Sequence, residues 1–222
     1  MPLFYFTLIC YTLSMIITYL GKQFFKIQQG DLVVAFNPIS RESKSADKAS
    51  KFGSKIAIST TNHPDYNGFE NVTHGETVPF EISGPGDYEV DGIFIKGIES
   101  ETILDGKKYI NTIYSLRIEN ISICFLGPIN NDKISSEARG EIDAPDIVFV
   151  PIAGGDMLDP VKAYNLALSF DSALVIPMDG DEKTLKAFLK EAGQESTKPI
   201  DKLTIKAKDL IGKEGEIVVL SS

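Results

Sequence analysis

The sequence predicts a mixed α/β (α+β) domain, and three features carry that expectation. Up to residue 126 the chain is dense in short β-branched and aromatic runs, punctuated by Gly, Pro and Asp turn signals. From residue 147 onward, strand-like runs alternate with helix-like ones. No internal repeat and no linker interrupts the chain, so one domain is the simplest organisation. At 222 residues and 43% hydrophobic, it can bury a full core.

The elements follow in order. Residues 16–20, 24–28 and 32–36 read as strands, with Gly21-Lys22 and Gly30-Asp31 as turns and Asn37-Pro38 ending the third. Residues 41–51 are polar and rich in Ser and Lys, as in an exposed loop or a weak helix. Ile56–Ser59 is an apolar strand. Residues 78–82, 88–90 and 93–98 are three further strands, and 112–118 with 121–126 form a hairpin about Glu119-Asn120. Ile147–Pro151 and residues 174–177 are strands of the alternating part. Between them, Asp159-Pro160 opens a helix, Asp as N-cap and Pro at the first helical position, with Ala163, Leu166, Ala167 and Phe170 on one face. Residues 181–192 form a second helix stopped by Gly193, and 203–206 and 217–220 close the chain as strands.

Charge and composition exclude several function classes. The net charge is −9 and no long basic run occurs, so no nucleic-acid partner is expected. Two cysteines, Cys10 and Cys124, give no disulfide framework and fit a reducing cytoplasm. Two histidines, His63 and His74, cannot build a His-rich dinuclear metal centre. The N-terminus holds two readings. Residues 1–20 carry no charge and are long enough to anchor a membrane helix. Alternatively, residues 1–14 are a dispensable apolar extension and the domain, 15–222, starts at Met15 with its first strand. Oligomeric state is not legible.

The chemistry-bearing stretch is Thr61-Asn62-His63-Pro64-Asp65-Tyr66, directly after the strand Ile56–Ser59. It resembles the H-x-H-x-D-H metal motif of the metallo-β-lactamase superfamily, with the first and last histidines replaced. The order of the other turns is similar to the branch of L-ascorbate-6-phosphate lactonase-like proteins. Leu20-Gly21-Lys22-Gln23 stands at its Gly-His-Ser turn, Asn37-Pro38 at its Asp-Pro, and Leu126-Gly127-Pro128 at its Leu-Gly-Asp. Pro151-Ile152-Ala153-Gly154-Gly155 resembles its Pro-x-Gly-Gly, and Pro177-Met178-Asp179 its Pro-Met-His. Over 15–222 the resemblance implies a four-layer αββα sandwich, a hydrolase ancestry and zinc as the family's metal.

The departures fall on the metal ligands. Thr61 and Tyr66 are weak ligands, and Pro128 has no side-chain donor where the family has a bridging carboxylate. The middle histidine has no counterpart; Glu99, Ser100 and Glu101 fall near its place. Lys22 adds a positive charge at the rim. The candidate catalytic residues are Asp65 and His63, and the candidate metal ligands are His63, Asp65 and Asp179. The expected cofactor is therefore none, or a single weakly bound divalent metal. Each residue also has a structural reading: His63 hydrogen-bonded in its loop, Asp65 capping nearby N–H groups, Asp179 and Asp181 at a helix start. His74 and the Gly84-Pro85-Gly86 turn fit no site, and Gly154-Gly155 reads as a tight turn. Two functions stand: a non-catalytic or binding derivative whose cleft holds a small-molecule ligand, expected to be anionic, or a protein partner, and a hydrolase with a reduced, oxygen-rich site at His63, Asp65 and Asp179. Hard ligands of that kind favour Mn²⁺ or Mg²⁺.

Overall fold

A computed structural model describes residues 13–46, 50–142 and 144–222. Five early strands, β1 (Met15–Tyr19), β2 (Phe25–Gln29), β3 (Leu32–Phe36), β4 (Ile56–Ser59) and β5 (Phe80–Ser83), build the first sheet. The next six are β6 (Gly86–Val90), β7 (Ile93–Leu104), β8 (Lys107–Ile118), β9 (Ile121–Phe125), β10 (Ile147–Pro151) and β11 (Leu174–Met178). They form the second sheet. Late strands β12 (Leu203–Ile205) and β13 (Glu216–Ile217) close the two sheets at one edge each. The orders are β12-β1-β2-β3-β4-β5 and β13-β11-β10-β9-β8-β7-β6. Both sheets are mixed: β3, β4 and β5 run parallel, as do β9, β10, β11 and β13.

The sheets stack because each offers an apolar inner face. Phe25, Phe36, Ile58 and Ile82 from the first meet Tyr114, Phe125, Phe149 and Ile176 from the second in one continuous core. Phe36 stacks on Phe125 at 4.6 Å, and Phe149 meets Phe25 edge-on at 4.9 Å, geometries that add to simple area burial. In β10 all five residues are buried. Ile147 and Phe149 face the first sheet, whereas Val148 and Val150 face the helices. That double burial is why a parallel central strand reads as an unbroken apolar run. Helices α1 (Ser136–Glu141), α2 (Pro160–Leu168) and α3 (Glu182–Glu191) cover the outer face of the second sheet. Phe24, Ala35 and Ala57 on the other outer face are covered by Ile39, Phe52, Phe69 and Val72. Two mixed sheets flanked by helices give the αββα sandwich expected from the sequence.

Two expectations change. The membrane contact drawn from residues 1–20 is corrected: among the described residues no helix is long and apolar enough to cross a membrane. Residues 15–19 of that run are strand β1, paired on both sides, with Met15 and Ile17 fully buried. Its apolar character serves the sheet interior. Residues 1–12 of the expected extension lie outside the described residues. The second change is a hairpin: β7 and β8 are twelve residues each and pair as far as Leu104 with Lys107. The sequence reading stops these strands at 98 and 112, because Glu99, Glu101, Lys107 and Lys108 point outward and hide the alternation.

Candidate functional site

The loop after β4 turns sharply because its backbone bonds to itself. The His63 carbonyl accepts from the N–H groups of Tyr66 at 2.8 Å and Asn67 at 3.1 Å. The segment after β3 clasps it, with Ser40 N–H donating to the Pro64 carbonyl and Gly68 N–H to the Pro38 carbonyl. A Cβ on Gly68 would lie 2.3 Å from the Ile39 backbone, so only glycine allows this approach. Asn37, at φ 48°, accepts from the Thr60 N–H at 2.8 Å and so fixes the end of β4.

Each replaced or retained ligand position has a definite partner. The buried Thr61 hydroxyl donates to Asn111 Oδ1 at 3.2 Å, joining β4's loop to β8. Asn111 Nδ2 donates in turn to Ser100 Oγ at 2.8 Å and the Leu126 carbonyl at 2.9 Å. His63 Nδ1 accepts from the Asp65 N–H at 3.2 Å, and its Nε2 lies 3.9 Å from Asp105 Oδ2. Tyr109 meets the imidazole edge-on at 5.7 Å. Asp65 accepts from the Ser43 hydroxyl through one oxygen, and Lys22 Nζ stands 3.4 Å from the other. Tyr66 is 1% exposed. Burial pushes its phenol well above the ordinary tyrosine value, and Asp179, Asp65, Asp105 and Asp156 push it further.

The remaining turns surround this loop. Gly127 takes φ 69°, and a Cβ there would lie 2.3 Å from Asn111 Oδ1. The carbonyl of Pro128 accepts from the Thr102 hydroxyl. Gln23 donates to the Met157 sulfur, bringing the Gly154-Gly155 loop over the first turn. Asp156 accepts the Asp105 N–H at 2.9 Å. Asp179, at φ 58°, donates its N–H to the Tyr19 hydroxyl, which itself donates to the Lys22 carbonyl at 2.8 Å.

The sequence singles out His63, Asp65, Tyr66, Lys22 and Asp179, and these stand about one loop. Glu99 and Glu101 are exposed and stand apart, Glu101 paired with Lys108 at 2.6 Å. His74 sits in an exposed turn with Thr77. Asp181 is the N-cap of α3, accepting from the Thr184 N–H at 2.7 Å. Asn111, Asp105, Tyr109, Asp156 and Ser43 are not reached from sequence. Only the Asp105-Gly106 turn between two apolar-alternating runs signals the hairpin that brings three of them.

The donor set does not fit the family's metal centre. Thr61 is engaged with Asn111, Pro128 offers only a carbonyl that Thr102 occupies, and one imidazole nitrogen of His63 is an acceptor within its own loop. Among the described residues no group of three or more His, Cys, Asp or Glu side chains is placed to hold a metal ion.

Comparison with curated protein sequences gives no match. Among solved structures, a candidate Zn-dependent hydrolase of the metallo-beta-lactamase superfamily from Thermotoga maritima is 23% identical, with a TM-score of 0.72 over 93% of this chain and 98% of its own. A candidate metal-dependent hydrolase from Parabacteroides distasonis is 13% identical, with a TM-score of 0.64 over 93% and 94%. A metallo hydrolase from the archaeon Ignicoccus hospitalis is 16% identical, with a TM-score of 0.59 over 87% and 99%. These likenesses concern the fold. The family described as "Beta-lactamase superfamily domain" matches residues 16–179, and the chain belongs to that family, with no complete metal-binding cluster among its described residues.

Proposed function

We propose that this chain is a non-catalytic member of a hydrolase family, its former metal cleft converted into structure. The observation that carries the reading is the mutual engagement of the ligand positions. Thr61, His63 and Asp65 bond to Asn111, to their own loop, and to Lys22 and Ser43. Buried Tyr66 fills the fourth position. Nothing in that set can acidify a water, the step for which the fold uses its metals. The charges of Asp179, Asp65, Asp105 and Asp156 all raise the Tyr66 phenol, a charge balance that disfavours a small anionic ligand. The ordered turns at Gly21-Lys22, Asn37-Pro38, Gly154-Gly155 and Asp179 support descent from the L-ascorbate-6-phosphate lactonase-like branch. Cys124, a buried free thiol pushed up to about 12 by burial, supports a cytoplasmic setting.

The test is metal analysis of protein purified without chelator, with assays on a phosphomonoester, a phosphodiester and a lactone. The expected result is less than stoichiometric metal and no turnover that His63→Ala abolishes. One Mn²⁺, Mg²⁺ or Zn²⁺ per chain, lost in His63→Ala together with a hydrolytic activity, would establish the reduced site at His63, Asp65 and Asp179 instead.

A further inference from the structure

Three links tie together the turns that, by family resemblance, deliver ligands to a shared metal. In the first, Lys22 in the β1–β2 turn reaches Asp65 of the β4 loop at 3.4 Å, while Ser43 holds the other carboxylate oxygen. In the second, the Tyr19 hydroxyl joins the Lys22 carbonyl to the Asp179 N–H at the end of β11. In the third, Thr61 and Asn111 join the β4 loop to β7 and to the end of β9. A metal ion does the same work elsewhere in the fold by drawing several turns to one point.

Charge adds to the connectivity. The charges of Asp179, Asp65, Asp105 and Asp156 all act on the buried ring of Tyr66, and like charges repel, although Asp105 and Asp156 are exposed. Lys22 supplies a fixed positive charge among them. Its side chain is 30% exposed and that of Asp65 18%, so the pair is partly withdrawn from water. Such a pair is screened less than a surface one. Lys22 also holds φ 55°, a left-handed conformation that glycine adopts more readily.

We propose that Lys22 stands in for the lost metal: its ammonium offsets the cleft's carboxylates and ties the β4 loop to the β1–β2 turn, so that the cleft assembles without any cation. This rests on the non-catalytic reading of the cleft. The alternative is an ordinary peripheral ion pair, with each residue serving only its own loop.

A double-mutant cycle on the full chain, followed by thermal unfolding with and without EDTA, separates the two. Lys22→Ala and Asp65→Asn should each lower Tm by about 2–4 °C. The double variant should fall no further than the worse single variant, because both remove the same interaction. Lys22→Arg should recover most of the loss, and EDTA should leave every Tm unchanged. Should Lys22→Ala fail to fold, Lys22→Met retains most of the aliphatic stem and replaces it in the cycle. Additive losses, with EDTA still without effect, would overturn the role of Lys22 and leave the non-catalytic reading intact. A wild-type Tm lowered by EDTA would overturn both.

Discussion

Tyr66 occupies the place of the motif's last ligand with a ring, and the chemistry of that exchange is packing. The side chain is 1% exposed, tilted against His63 at 5.8 Å, and among the largest fully buried side chains of the protein. Removing a large buried aromatic forfeits its transfer free energy and leaves a cavity that neighbours only partly close. Tyr66→Ala should therefore cost about 3–5 kcal/mol in urea unfolding, the range for aromatic-to-alanine changes in cores. Tyr66→Phe keeps the ring and should cost much less. A loss below about 1 kcal/mol for Tyr66→Ala, the level of an ordinary surface change, would mean that the loop repacks without the ring. Gly127 shows the same tightness from the backbone side, since any Cβ there would strike Asn111.

At the scale of elements, the helix signals are the most local, and they are the most directly readable. Asp159 caps α2, accepting from the Lys162 N–H at 3.1 Å with Pro160 at the first position, as the sequence alone indicates. Asp159→Ala should destabilise the protein by about 1 kcal/mol, the usual value of an N-cap, while Asp159→Asn should preserve most of it. Equal losses for both variants would shift the role to the ion pair with Lys162 at 3.5 Å. The strands of the core and the ligand loop are legible for the same reason: β4, β10 and β11 are short apolar runs bounded by breakers. The outer arms of β7 and β8 are not, because charged outward residues mask their alternation, although they pair from Leu104 with Lys107 directly across the Asp105-Gly106 turn. With that hairpin the sequence also hides Asp105, Tyr109 and Asn111, so the site's own residues are readable but their partners are not. The six-residue α1, capped by Ser135, is too short for any periodicity.

At the scale of the whole molecule, the buried phenols of Tyr114 and Tyr66 and the half-buried one of Tyr19 mark the seam between the sheets and the cleft beside it. Tyr114 of the second sheet accepts from the Gly84 N–H at 2.9 Å and stands 3.2 Å from the Ser59 carbonyl of the first. Tyr19 bridges the β1–β2 turn and the end of β11, and Tyr66 fills the ligand loop. Burial is the first cause that raises all three above the ordinary tyrosine value of 10.0. A raised acid keeps its proton in the folded state while the unfolded chain gives it up. The stability these phenols contribute is therefore fully present below about pH 10 and declines as pH rises toward their folded values. Each should steepen the loss by about 1.4 kcal/mol per pH unit. The net charge of −9 is already unfavourable at neutral pH and grows more so as tyrosinates form. Urea midpoints measured from pH 8 to about pH 11 should be flat at first and then fall steeply, with tyrosinate absorbance from these three rings appearing only on unfolding. Tyr66→Phe should flatten the alkaline slope. If all eight tyrosines ionise together near pH 10 while the protein stays folded, the seam is open to water and the packing described for it is wrong.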